Sequence, residues 1–397
     1  MSPFEASALA FGGLLIVGAL AAGVAHRSFL SLTALFVVAG FVLGDGVTGA
    51  LHFDPHSEFV ADLATVALVV ILFRDGLEVE AEMLRGQWHL PLRKLVLAMP
   101  ITGALVALVT HVLTDLSWTE SFLLGALLSP TDPVLSSSVV TNPRVPRLVR
   151  HSLNLESGMN DGLALPAVLA FSAALAPGGS DFVWYEFVLK DILIGLAVGV
   201  ALGYLAALAP VPERSKSQYA LGVAFAIYGI TIALPDGNGF IAVFVGAITL
   251  GIRRADLVRA FAAQAYDIVE IVKLGIFVVF GALLTFDGLF GDGWAAVGIV
   301  AFTLLVARPV AIWAALAGTR LDTATKAFMA WFGPKGVATM AFSIFVLGQG
   351  IAQGERIFDI AALAVFCSII AHGVTDTPGS EWIATRRGEP ETRAYAP

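Results

Sequence analysis

Apolar runs of about 17–25 residues alternate with short polar breaks along the chain. That is the length a helix needs to cross the hydrocarbon of a bilayer. The pattern predicts thirteen spans, at about 5–24, 29–44, 58–74, 92–114, 119–140, 152–175, 184–209, 217–234, 238–252, 262–285, 293–317, 325–348 and 357–376. The second and ninth are short, and the break between the eighth and ninth rests on "PDGNG" at 235–239. The run from Phe4 to Val24 lacks a basic leader and a small-residue cleavage site, so it reads as a first span and not as a removed signal.

The polar breaks alternate in charge. Odd-numbered loops carry bases, such as Arg27, Arg93 and Lys94, Arg147 and Arg150, Arg253 and Arg254, and Lys326. Even-numbered loops carry mainly acids, such as Asp45, Asp115, Asp236 and Asp292. The bias of Lys and Arg towards cytoplasmic loops then predicts a multi-pass protein of the cell (inner) membrane, N-terminus outside and C-terminus in the cytoplasm. Residues 1–182 and 213–378 read as two six-helix repeats, 183–212 as a linker helix and 379–397 as a short cytoplasmic tail.

Composition agrees with a bilayer as solvent. The 397 residues are 57% hydrophobic and only 14% charged, where a soluble chain carries about a quarter charged residues. Mean hydropathy is +0.84. No basic stripe suits nucleic acid. The single cysteine, Cys367, excludes an internal disulfide and a cysteine-based metal site.

Against this apolar background a few charges stand at mid-membrane depth. Asp161 lies nine residues into the sixth span, roughly 14 Å along a helix. Asp132 in the fifth span, Lys335 in the twelfth and Lys273 in the tenth, with Glu270 one turn before it, sit at similar depth. Buried charges that converge there mark an ion or proton pathway. Two of these spans also hold helix breakers. Pro130 and Pro133 flank Thr131 and Asp132, and Gly333-Pro334-Lys335-Gly336 interrupts the twelfth span. Both breaks fall in the fifth span of a repeat, the pattern of an inverted-repeat transporter with broken crossing helices. Asp132 is then placed to neutralise exposed N–H ends, and a lysine to neutralise carbonyl ends. Thr131, Asp132 and main-chain carbonyls are hard oxygen donors for a small cation such as Na⁺. Ser157 and Asp161 share a helix face at i,i+4, whereas Glu156 and Asn160 share another.

"SPTDPV" at 129–134, followed by "ESGMNDG" at 156–162, resembles the paired signature of the cation/proton antiporter superfamily, in its NhaP-like and sodium–hydrogen exchanger branch. "FGPKG" at 332–336 is similar to that family's broken twelfth helix, and "FRDGL" at 73–77 to the end of its third. The resemblance covers nearly the whole chain. It implies an all-α fold of about thirteen helices, a homodimer, and exchange of a monovalent cation, Na⁺ or Li⁺, for H⁺ in pH homeostasis. By resemblance, Asp161 binds the cation or the proton, Thr131, Asp132 and Ser157 help to ligate the cation, and Asn160 orients the site. Glu156 pairs with a base of the twelfth helix, here Lys335 where the family usually has Arg, with Lys273 as the rival partner. Asp75 is the candidate acid from the third helix.

One carboxylate that holds either ion, and moves only when neutralised, gives obligatory exchange. Asn160 in place of a second acid predicts an electroneutral cycle. K⁺/H⁺ exchange on the same fold is the rival within transporters. A cation channel would lack proton coupling, and no repeated filter-like segment is present. No G-x-G-D, H-E-x-x-H or G-x-S-x-G motif points to an intramembrane protease, so the chain reads as no enzyme and needs no cofactor. His111, His151 and His372 lie near span ends and read as interfacial.

Overall fold

The computed structural model describes residues 32–79, 89–132, 145–179 and 182–387, with a few single positions outside these ranges. Most of the first apolar run, and Pro133, lie outside the described residues. Every described element is helical. Runs two to seven correspond to α1 (Leu32–Leu43), α2 (Glu58–Glu78), α3 (His89–Leu113), α4 (Trp118–Leu127), α5 (Arg147–Leu175) and α6 (Trp184–Leu208). Runs eight and nine correspond to α7 (Lys216–Ile232) and α8 (Gly239–Arg253). An additional amphipathic helix, α9 (Ala255–Gln264), buries Leu257 and Phe261. It is followed by α10 (Tyr266–Ala282), the short α11 (Phe286–Gly291) and α12 (Gly293–Ala315). The twelfth run forms two helices, α13 (Thr323–Trp331) and α14 (Val337–Leu347). The last, α15, is longer than its apolar run and continues to Arg387. Five helices, α3, α5, α6, α12 and α15, are individually long and apolar enough to cross a membrane.

Small residues let the helices approach closely. Gly199 and Gly203 of α6 face Ala242 and Gly246 of α8, where a Cβ would overlap backbone. Without a hydrophobic drive between helices in lipid, such van der Waals packing carries association. At one end of the bundle, Arg254 donates to Ala207 O and Ala209 O at 3.0 and 2.9 Å. It also donates to both Asp256 oxygens at 2.9 and 3.0 Å. Lys216 reaches Asp256 at 2.7 Å, so the ends of α6, α7 and α9 are tied together. The Arg254 hydrogen bonds, with Lys216 beside them, hold the Asp256 carboxyl well below the usual carboxylate range.

A second ionic tie lies inside the membrane layer. Glu156 of α5 accepts from Lys94 of α3 at 2.6 Å and from Arg308 of α12 at 3.1 Å. Lys94 also donates to Ser152 O at 3.0 Å. Both bases lie at wide π-turns, Lys94–Ala98 and Thr303–Ala307, the second ending just before Arg308. Each wide turn is followed within two residues by proline, Pro100 and Pro309. Proline cannot donate to the carbonyl four residues back and its ring clashes there, and a π-turn is a common local accommodation at functional sites. The sequence reading paired Glu156 with Lys335 or Lys273. The structure corrects this: Lys335 Nζ donates to Pro130 O at 3.2 Å, and Lys273 pairs with Glu270 at 3.1 Å one turn away on its own helix.

Two outcomes follow from these ties. Glu156→Gln leaves two buried cations without their counter-charge, which costs about 3–5 kcal/mol, and a large fall in the unfolding midpoint in detergent is the expected reading. Asp256 has a depressed folded-state pKa, so its contribution is present above the unfolded value of about 4 and is lost as pH falls through the folded value. The thermal-shift difference between the parent and Asp256→Asn is expected at neutral pH and shrinks in acid.

Candidate functional site

The site forms where two helices stop inside the membrane layer. α4 ends at Leu127 and the chain runs unwound through Asp132. α13 ends at Trp331 and α14 begins at Val337. Helix ends expose N–H or C=O groups that hydrocarbon cannot satisfy, and each end here has a partner. At the start of α14, Asp132 Oδ2 accepts from Val337 N at 3.4 Å, while Asp132 N donates to Pro334 O at 2.8 Å. Past the end of α4, Lys335 Nζ donates to Pro130 O, and Thr339 Oγ1 donates to Leu127 O at 3.1 Å. At the end of α13, Arg308 Nη2 donates to Met329 O and Phe332 O at 3.4 and 3.3 Å.

The glycines of "FGPKG" have a spatial reason. A Cβ at Gly333 would overlap the Arg308 guanidinium, and one at Gly336 would overlap the Asp132 side chain. Lys335 N donates to Ser368 Oγ at 2.8 Å. Ser368 Oγ in turn lies 3.1 Å from His372 Nδ1, and His372 Nε2 donates to Trp331 O at 2.9 Å. His372 is therefore buried and fastened to the α13 end; it is not an interfacial residue.

Asn160 of α5 donates to Thr131 O at 2.7 Å and to Thr131 Oγ1 at 3.1 Å. It pins the unwound strand of α4 to α5. One residue on, the Asp161 carboxyl lies within hydrogen-bonding reach of Asp75 on α2. Asp132 is near enough to interact with both charges. Arg74 grips Asp75 by one oxygen only, with Nε and Nη2 at 2.8 and 2.5 Å from Oδ1. Here Asp75 Oδ2, Asp161 Oδ1 and Asn160 Oδ1 are buried without a hydrogen-bond partner. Ser157 is half-buried one turn before Asp161.

Of the residues singled out from sequence, Asp161, Asp132, Thr131 and Asn160 meet at the crossing. Lys335 meets them through the α4 carbonyls, and Lys273 does not join them. Among the described residues no group of three or more His, Cys, Asp or Glu is placed to chelate a metal ion. The oxygens gathered at the crossing belong to the Asp75 and Asp161 carboxyls, the Asn160 amide and the Thr131 hydroxyl. Arg308 is the residue that sequence reading missed. It stands well inside the apolar run 293–317, so its depth was the available signal. Lys94 was assigned to a loop because it starts its run.

Comparison with known proteins agrees with this geometry. Residues 13–382 match the family described as sodium/hydrogen exchanger, transmembrane. The chain is 24% identical over 391 residues to the K⁺/H⁺ antiporter NhaP of Alkalimonas amylolytica, covering 96% of this chain and 68% of that one. It is 25% identical over 373 residues to the K⁺/H⁺ antiporter NhaP2 of Shewanella oneidensis, covering 92% and 64%. It is 26% identical over 378 residues to the Na⁺/H⁺ antiporter NhaG of Bacillus atrophaeus, covering 88% and 71%. The chain thus spans about two thirds of the length of these relatives. The fold matches that of the sodium proton antiporter MjNhaP1 from Methanocaldococcus jannaschii, with a TM-score of 0.81 at 18% identity over 98% of this chain and all of that one. The helix order, the two mid-membrane breaks and a family match over nearly the whole length make this chain a member of the sodium/hydrogen exchanger family.

Proposed function

We propose that the protein exchanges a monovalent cation for H⁺ across the membrane, electroneutrally and by alternating access, with Asp161 binding either ion. The observation that carries this reading is the Asp75–Asp161 pair: two buried carboxyls in hydrogen-bonding reach, each with an oxygen that no protein group satisfies. Two bare carboxylates at that distance repel, so the pair demands a proton or a cation between its oxygens. The two occupants exclude each other, which is the requirement for exchange.

Around the pair, Asn160 fixes Thr131, and Asp132 faces the N-terminus of α14. Thr131 and Ser157 offer neutral oxygens to a partly dehydrated ion. The Glu156 clamp keeps α3, α5 and α12 in register while the site changes its exposure. Moving an uncompensated carboxylate through hydrocarbon costs several kcal/mol, so the empty site stays where it is and the neutralised site reorients.

The proposal extends to two inverted six-helix repeats, 1–182 and 213–378, joined by a linker helix, in a homodimer of the cell membrane that serves pH homeostasis. The matching π-turns with proline in the fourth span of each repeat support the symmetry. The charge alternation of the loops supports an outside N-terminus and a cytoplasmic C-terminus. Na⁺ is the cation read from the hard oxygen donors, and K⁺ is the second reading because the NhaP and NhaP2 relatives carry that name.

In proteoliposomes, Asp161→Asn is expected to lose cation-driven pH change at least tenfold while keeping its elution profile and unfolding midpoint; undiminished exchange would sink the assignment. Comparing Na⁺, Li⁺ and K⁺ gradients in the same vesicles identifies the cation. The parent's rate is expected to stay constant when a membrane potential is imposed, and a rate that follows the potential contradicts an electroneutral cycle.

A further inference from the structure

Asn160 does not by itself explain a single exchanged charge. Asp75 brings a second carboxyl to Asp161. An unmodified pair would carry two negative charges and call for two positive ones. The residue that changes this count is Arg74, next to Asp75 in sequence.

Its geometry is unusual for neighbours on a helix. Successive residues point about 100° apart, yet the Arg74 side chain folds back so that Nε and Nη2 both reach Asp75 Oδ1, at 2.8 and 2.5 Å. Asp75 Oδ2 is left without a partner and Asp161 lies within its reach. The guanidinium is therefore held on the side of the Asp75 carboxylate that keeps one oxygen available to the pair. Asp75 is buried and the Arg74 side chain is 15% exposed. The other acids whose charge reaches Arg74 are Glu78 on its own helix and Asp132 at the α14 start. Asp132 is hydrogen-bonded to Val337 N, and Glu78 lies near Lys273. Asp75 is the acid that Arg74 contacts directly.

We propose that Arg74 is a charge-setting residue of the exchange site: it cancels the Asp75 carboxylate in place, so that one monovalent charge neutralises the Asp75–Asp161 pair. Arginine stays protonated at any physiological pH, so the compensation is constant through the cycle. It rests on the reading of Asp161 as the exchanging carboxylate. Arg74 acts through Asp75 and is a positioning residue.

The test measures how exchange depends on proton supply. Parent and Arg74→Gln are placed in sealed vesicles at zero membrane potential, with Na⁺ gradients in one set and K⁺ gradients in another, and the exchange rate is followed across pH. The parent site is neutral with one bound cation or one bound proton. A single cation leaves the Arg74→Gln pair with one net negative charge, so that pair reorients only with a further proton bound in both loaded states. Its rate is expected to fall at least tenfold at neutral and alkaline pH and to recover towards acid. A parental rate and pH profile in Arg74→Gln overturns the proposal. A second pair of variants guards against misfolding. Asp75→Asn alone leaves Arg74 against a single carboxylate and is expected to lose exchange at least tenfold. Arg74→Gln with Asp75→Asn restores one carboxylate and one-to-one exchange at neutral pH. Parental exchange in Asp75→Asn, or no recovery in the double variant, also overturns it. Asp161→Asn in the same vesicles separates the two ideas, because retained exchange there refutes the site itself whatever Arg74 does.

Discussion

A helix that stops inside hydrocarbon leaves a set of N–H or C=O groups that neither lipid nor its own turns can satisfy. The crossing of the two broken spans answers that constraint mutually. The acid that follows α4 sits at the N-terminus of α14, and side chains at the start of α14 donate to carbonyls at the end of α4. The end of α4 and the start of α14 are satisfied by each other, while Arg308 and His372 complete the end of α13. Residues around the crossing inherit tight restrictions. Position 336 has no room for a Cβ because Asp132 fills it, and position 333 has none because Arg308 does. The short motif "FGPKG" is thus two packing restrictions, a broken turn and one cation.

The same constraint explains why the buried charges fall into groups. Glu156 accepts from two bases brought in by α3 and α12. Arg308 spends Nη2 on the carbonyl end of α13. The guanidinium therefore couples an ion pair to a helix end, a role for which a planar fork of donors is better suited than an ammonium. Lys335, the ammonium nearby, serves a single carbonyl. At the crossing itself, the carboxyl and amide oxygens left without a partner are those of Asp75, Asn160 and Asp161.

Much of this was legible in the sequence. Each apolar run from the second to the thirteenth contains a described helix, and the breaks follow from proline and glycine at matching depth. Asp161 and Asp132 were found by counting residues from the membrane boundary and Asn160 by resemblance, and the structure brings all three to the crossing. What sequence did not supply is which buried base meets which buried acid, because partner choice depends on lateral helix packing, on which run length is silent. Glu156 was paired by resemblance with the twelfth-helix base Lys335, with Lys273 as rival, yet Lys94 enters from a run whose start looked like a loop. Arg308 was overlooked inside an otherwise apolar segment. The π-turns that aim these bases are local responses to Pro100 and Pro309, and only the prolines are visible beforehand.

The acid of the third helix shows where motif reading and geometry part. In sequence, Asp75 follows the apolar run 58–74 and enters only as the third-helix acid implied by resemblance. In space, Arg74 takes only one of the two Asp75 oxygens, the other has no partner, and the Asp161 carboxyl lies within reach of the pair. Asn160 keeps the neighbouring position neutral and spends its amide on Thr131, so the electrostatic asymmetry of the crossing resides in Asp75, Asp161 and one guanidinium. Under the proposal for Arg74, the net charge of the site depends on a residue that touches neither ion directly, and a comparison of family members by the Asn-Asp motif alone would miss it.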